Sequence, residues 1–294
     1  MNDGDDVGAV LRSVARRLQE AGVASPEHDA RALLGHALGV DRLDPTAPVP
    51  PAVGSMLDGL VERRRSRVPL QHIVGSTGFR YVDLTVRPGV FVPRPETELV
   101  AQEAIDEAVR IGARGRVPLV VDLCCGAGGI AIAVATEVPG SDVVAVDVDP
   151  GAVELTAVNA AANNAQVRVE HGDVTLPGLL PELAGRVDVV VANPPYIPPG
   201  AVPVDPEARD HDPPGALYGG GPDGLVIPRS VVDRAAVLLR PGGLLVMEHA
   251  DEQGAQVRAI VTDAGFADAR TLPDLLGRDR MVLARRAART GATP

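Results

Sequence analysis

The stretch that most limits how this chain can fold begins at residue 119, where short apolar runs alternate with helical segments. Leu119-Val120-Val121-Asp122-Leu123, Asp142-Val143-Val144-Ala145-Val146-Asp147, Val167-Arg168-Val169 and Val187-Asp188-Val189-Val190-Val191-Ala192 read as strands. Residues 129–136 and about 150–163 read as helices between them. After a long loop over 197–224, a helix over about 228–239 leads to a strand over 243–248. A helix over about 252–264 and a last strand over 280–284 close the series. Strands that are apolar on both faces and separated by helices require a mainly parallel sheet covered on both sides. The fold class is therefore α/β.

Ahead of this region the texture differs. Val10, Leu11, Val14 and Leu18 recur at three- and four-residue spacing, and Ala21-Gly22 ends that helix. Ser25-Pro26-Glu27 starts a second helix, with Ser25 as its cap and Ala30, Leu33, Leu34, Ala37 and Leu38 as its apolar face. A third, about 52–67, carries Val53, Met56, Leu57, Leu60 and Val61. Ile73-Val74, Phe79, Tyr81, Leu84 and Val86 cluster between glycines and predict a β-hairpin. Phe91-Val92-Pro93-Arg94-Pro95 is too proline-rich for a central strand, and a helix runs from Pro95 to about Ile111. The expected organisation is a helical domain over 1–70, a hairpin and linker over 71–98, the α/β domain over 99–287 and a disordered tail over 288–294.

All 28 basic residues are Arg, and the absence of Lys excludes Schiff-base chemistry and the lysine of a P-loop. A net charge of −11 argues against stable binding to a long nucleic acid, which calls for a basic face. Arg63-Arg64-Arg65 with Arg67 reads as a solvated helix face. The six His show no ligand spacing, so no metal is expected. The two Cys are adjacent, Cys124 and Cys125, which fits a reducing compartment. With neither a signal peptide nor a membrane-length apolar run in view, the cytoplasm is the expected location.

The first strand of the alternating region ends in Asp122-Leu123-Cys124-Cys125-Gly126-Ala127-Gly128, and Asp147 closes the second strand about twenty residues on. Glycines at such a turn let a ligand approach the backbone, and the acidic strand end can hold two ribose hydroxyls. This arrangement suits a dinucleotide or S-adenosyl-L-methionine. In the second case Asp122 would meet the ligand's ammonium through the backbone or a water. Asp173, followed by Val174, stands where an adenine amino group would be read, or merely caps a turn.

The fourth strand runs into Asn193-Pro194-Pro195-Tyr196. Chemistry in open parallel sheets lies beyond the carboxyl ends of the strands. Two prolines there fix the backbone and cannot continue a ladder. The Asn193 side-chain oxygen and the Pro194 carbonyl can each accept one hydrogen bond from a substrate NH2, and Tyr196 can stack on a planar group. An amide or aminopurine nitrogen is a poor nucleophile because its lone pair is delocalised. Two acceptors orient it and favour the charge that develops as a methyl group arrives.

Taken with Pro69-Leu70-Gln71-His72-Ile73-Val74-Gly75, Val92-Pro93-Arg94-Pro95-Glu96-Thr97-Glu98, Ala216-Leu217-Tyr218-Gly219-Gly220, Asp223-Gly224-Leu225 and Glu248-His249, these motifs resemble the protein-(glutamine-N5) methyltransferases of peptide chain release factors, the HemK/PrmC family. The resemblance implies a Rossmann-like class I methyltransferase with a mainly parallel seven-stranded sheet and a small N-terminal helical domain that helps dock the release factor. It implies S-adenosyl-L-methionine as cofactor and the glutamine of a Gly-Gly-Gln loop as substrate. It also implies that the hairpin and the segment from Phe91 through Arg94 to Glu98 help form the pocket wall. The chain departs from the family at Cys124 and Cys125, where small Gly and Thr residues are common. Three rival readings remain: an amino-methyltransferase of another protein glutamine or of a nucleic-acid base, a nicotinamide-dependent dehydrogenase resting on the glycine turn, and a binding protein that has kept the fold.

Overall fold

The helices α1 (Val7–Glu20), α2 (Pro26–Leu38) and α3 (Pro51–Arg65) open the chain, followed by the short α4 (Leu70–Val74). They are seen in a computed structural model that describes residues 6–288, so the tail expected over 288–294 lies outside the described residues from 289 on. The Asp6 carboxylate caps α1 by accepting the Ala9 N–H at 2.6 Å. Ser25 makes no such bond to α2, which begins instead with Pro26 and carries Glu27 and Asp29 in its first turn. Val10, Val14, Leu18, Leu33, Leu34, Leu57 and Val61 close a single apolar cluster. Ile73 and Val74, expected in the hairpin, belong to α4. Ile73 is buried in the helical cluster and Val74 packs against it. Gly75 then ends the helix at φ 82°.

The hairpin is shorter than expected, β1 (Ser76–Phe79) and β2 (Val82–Thr85). After α5 (Thr97–Gly112) the alternation begins: β3 (Leu119–Leu123), α6 (Gly129–Glu137), β4 (Asp142–Asp147), α7 (Pro150–Ala162), β5 (Val167–His171) and β6 (Val187–Ala192). The segment expected as one long loop holds two short helices, α8 (Pro206–His211) and α9 (Pro214–Leu217). Then come α10 (Val226–Leu238), β7 (Leu239–Glu248), α11 (Gly254–Asp263), β8 (Phe266–Pro273) and β9 (Asp279–Arg286).

Seven strands form one sheet in the order β5-β4-β3-β6-β7-β9-β8. β3 to β7 run parallel, while β9 is antiparallel to both β7 and β8. Each face of the sheet carries its own aliphatic core. β8 escapes the sequence pattern because it is an edge strand with a largely exposed face, on which only Phe266 and Asp274 beside it are well buried. The strand order reverses at β3, which has β4 on one side and β6 on the other. A crevice opens outside the carboxyl ends of strands at such a reversal. The register brings those ends level: Leu123 pairs with Val146 and with Ala192, and Ala192 pairs with Met247.

The described chain forms two compact units, one taking the chain up to Ser76 together with Pro203–His211, the other Thr77–Val202 and the chain from Asp212 on. The detour of Pro203–His211 into the helical unit has an electrostatic cause. Arg64 holds Asp29 at 2.6 Å and Glu207 at 2.7 Å, and Arg67 holds Glu207 at 2.7 Å. No helix among the described residues is long and apolar enough to cross a membrane.

Candidate active site

The glycine turn between β3 and α6 is built by two carboxylates. Asp122, completely buried, accepts the Ala131 N–H at 3.1 Å through Oδ2. Its Oδ1 has no hydrogen-bond partner among the described residues. Burial pushes its carboxyl well above the usual carboxylate range. Asp147 accepts the Gly126 N–H at 2.8 Å and the Asp149 N–H at 2.9 Å, one on each oxygen, and burial raises it as well. Each oxygen keeps acceptor capacity for a further donor. Gly128 sits at φ 87°, and a Cβ there would stand 2.8 Å from Thr156 Cγ2. Thr156 in turn donates to the Gly126 carbonyl at 2.9 Å. Ala127 is packed with Val90, Ala152 and Leu155, and its carbonyl accepts from Asn159 at 2.9 Å.

Cys124 occupies the left-handed region at φ 64°, a conformation that favours glycine. Cys125 lies within 3.5 Å of the Thr156 hydroxyl. Burial, reinforced by the nearby Asp carboxylates, pushes both thiols well up, so neither is poised as a nucleophile. In the turn after β5, Asp173 Oδ1 accepts from the Thr175 N–H at 2.8 Å and from its hydroxyl at 2.7 Å, the geometry of a turn cap. Val174 is buried in the core beside it.

Asn193 follows the last residue of β6, one strand away from Glu248 at the end of β7. Its Nδ2 donates to Thr97 Oγ1 at 3.1 Å. The Thr97 hydroxyl donates to Glu248 Oε2 at 2.8 Å, and the Tyr196 hydroxyl donates to Glu248 Oε1 at 3.1 Å. Pro194 is buried, and the Pro195 and Tyr196 backbone is clamped from the following loop. A Cβ on Gly219 would stand 2.6 Å from the Pro195 carbonyl oxygen, and one on Gly224 would stand 2.3 Å from that of Tyr196. Gln253 donates to the Tyr196 carbonyl at 2.8 Å and to that of Asp223 at 3.0 Å. Arg94 lies over the Phe91 ring, 5.0 Å from its centroid, and is ion-paired with Asp212.

The sequence matches two family descriptions, "PrmC N-terminal domain" over residues 9–75 and "Methyltransferase small domain" over residues 102–204. It is 48% identical to the release factor glutamine methyltransferase of Streptomyces coelicolor, over 95% of this chain and 98% of that one. The proteins of that name from Mycolicibacterium smegmatis and Bifidobacterium longum are 45% and 42% identical, over 95% and 94% of this chain and 98% of each relative. The chain belongs to the release factor glutamine methyltransferase family.

Solved structures agree on the fold of the family's catalytic domain. A methyltransferase from Pyrococcus furiosus, 16% identical, superposes with a TM-score of 0.53 over 77% of this chain and 100% of that one. A T. thermophilus 16S rRNA methyltransferase in complex with AdoMet and guanosine, 24% identical, gives 0.51 over 72% of this chain and 49% of its own.

Three residues that complete the site were not assigned roles from sequence. Thr97 sat inside the Arg-Pro-Glu-Thr-Glu segment with no task of its own. Glu248 stands in a motif that carries the resemblance but has no role of its own there, although a carboxylate closing a buried run over 243–248 is itself a signal. Gln253 had no local signature. His249, next to Glu248, is spent elsewhere, with its Nδ1 at 2.7 Å from the Ala250 carbonyl.

Proposed function

We propose that this chain transfers a methyl group from S-adenosyl-L-methionine to the side-chain amide nitrogen of a glutamine in peptide chain release factors. The observation that carries the reading is the commitment of Asn193 Nδ2 to Thr97, which leaves Oδ1 as the acceptor at the carboxyl end of β6. When bound, S-adenosyl-L-methionine supplies an electrophilic methyl group on a sulfonium. The residues fit it: Asp122 keeps one buried oxygen with no partner among the described residues and would meet the ammonium through the backbone or a water, Asp147 has acceptor capacity for two hydroxyls, and Gly126 and Gly128 keep side chains out of the turn. Cys124, Cys125 and Ala127 complete the turn, and Asp173 with Val174 would border the adenine.

Asn193 Oδ1 and the Pro194 carbonyl would accept the two N–H bonds of the glutamine amide and stabilise positive charge on its nitrogen as the new N–C bond forms. Tyr196 would flank the amide plane, and Phe91 with Arg94 would wall the pocket. The methylated nitrogen is acidic enough to lose its proton to water, so no strong base is needed. The functional division follows the sequence: residues 1–70 dock the release factor, 71–98 link and wall the pocket, and 99–287 carry the cofactor turn and the Asn193 grip. We place the reaction in the cytoplasm, where translation ends and where two adjacent free cysteines stay reduced.

The test is to incubate the protein with S-adenosyl-L-methionine and unmethylated release factor and to map peptides by mass spectrometry. One added methyl on the Gly-Gly-Gln glutamine supports the reading. Cofactor binding without that modification refutes the substrate, and methylation of ribosomal proteins or RNA would relocate it.

A further inference from the structure

An asparagine amide has two nearly isosteric faces, one a donor and one an acceptor. A substrate NH2 can be gripped only by the acceptor face, so something must choose it. The hydrogen-bond chain at this site makes that choice. The Thr97 hydroxyl has one proton, and it goes to Glu248 at 2.8 Å. What Thr97 offers Asn193 is therefore a lone pair, which takes the Asn193 NH2 at 3.1 Å. The Glu248 carboxylate sets this direction because it has no proton to give and already accepts the Tyr196 hydroxyl on its other oxygen at 3.1 Å. Thr97 and Glu248 are 5% and 1% exposed, so water is in a poor position to replace either partner.

We infer that Thr97 and ionised Glu248 are positioning residues for methyl transfer, a two-step relay that holds Asn193 with its oxygen toward the glutamine amide. The inference rests on Asn193 being the amide grip. Only the ionised state secures the relay. A protonated Glu248 must donate to Thr97 or to Tyr196. If it donates to Thr97, the Thr97 proton turns on Asn193 and favours the flipped amide, which sets donor against donor. Among the described residues, the groups that act on Glu248 are Thr97 at the start of α5, Glu96 before it, Tyr196 after β6 and Arg280 on β9. Burial raises its carboxyl to about 7, against the opposing Thr97 and Tyr196 hydrogen bonds and the Arg280 charge, while the Glu96 charge adds to the rise. The switch thus lies near neutral pH.

The test measures kcat, KM for release factor and cofactor affinity across pH for the wild-type protein, Thr97→Val, Thr97→Ser, Glu248→Gln and Asn193→Ala. The wild-type kcat should rise with pH to a plateau, with a midpoint near 7. Thr97→Val should lower kcat on the order of 10- to 100-fold with cofactor affinity and KM little changed, the scale expected for one buried hydrogen bond left unmade. Thr97→Ser should restore most of it. Glu248→Gln keeps an acceptor for Thr97 but removes the titration, so its acid limb should vanish. Wild-type kcat in Thr97→Val, or an unchanged acid limb in Glu248→Gln, would overturn the relay. Should Thr97→Val fail to fold, the Glu248→Gln profile decides alone. Near-normal turnover in Asn193→Ala would instead overturn the grip itself, so the two failures are distinguishable.

Discussion

The Asp147 carboxylate accepts the Gly126 N–H at 2.8 Å and thereby ties the end of β4 to the glycine turn after β3. One side chain thus shapes the turn and, on our reading, receives the ribose hydroxyls. Asp147→Ala removes both tasks. It should weaken S-adenosyl-L-methionine binding by on the order of 10- to 100-fold, the loss of one or two charge-assisted hydrogen bonds. Calorimetric titration checks this, and an unchanged affinity would remove Asp147 from the cofactor site.

Asn193→Ala should fold, bind cofactor with near wild-type affinity and lose turnover by on the order of 100- to 1,000-fold, as deletion of one preorganised group at developing charge does. Single-turnover methylation with both substrates saturating separates this from a binding defect.

Gly224 marks a contact that no side chain can enter. A Cβ there would lie 2.3 Å from the Tyr196 carbonyl oxygen, at a φ of +72°. Gly224→Ala must push the loop off the Asn193-Pro194-Pro195-Tyr196 backbone, at a cost of roughly 1–3 kcal/mol from overpacking alone. We expect a lowered melting temperature and a kcat loss larger than the change in KM. Gly178, which also has positive φ but no atom within 4 Å of an added Cβ, gives the control: Gly178→Ala should lose stability through backbone strain and keep its kcat.

Glu248 also links stability to pH. Its folded value of about 7 lies above the ordinary 4.5, so the folded state holds this proton more tightly than the unfolded one. The associated stability is fully present below pH 4.5 and is lost as pH rises through 7. The full span is worth about 3–4 kcal/mol, using about 1.4 kcal/mol per pKa unit. Glu248→Gln does not titrate there, so its melting temperature relative to wild type should climb between the acid and alkaline ends of that window. A parallel pair of melting curves would refute the assignment.

What could be read from the sequence and what could not divide along one physical line. Val120, Val189 and Val246 announce their strands because central parallel strands are buried on both faces, and burial is written in composition. Phe266–Pro273 is an edge strand with no such record. Asp122, Asp147 and Asn193 stand out because each ends an apolar strand where ligands bind in this fold class. Thr97 and Glu248 stayed mute since their meaning lies in each other, 151 residues apart. Ile73 and Val74 misled because a short apolar run fits a strand or a helix, and Pro69 and Gly75 decide for the helix.

The ion pair between Arg67 and Glu207 joins residues 140 positions apart, inside a helical unit whose other helices are finished by Val74. On the ribosome the chain is made in order, so that unit waits for its last piece. At about 5–20 residues per second, the interval between Arg67 and Glu207 lasts on the order of ten seconds. Throughout it Arg64 and Arg67 are without Glu207, and the strands β3 to β6 are synthesised before it arrives. The part of the chain that is made first therefore stays incomplete until four of the five parallel strands exist.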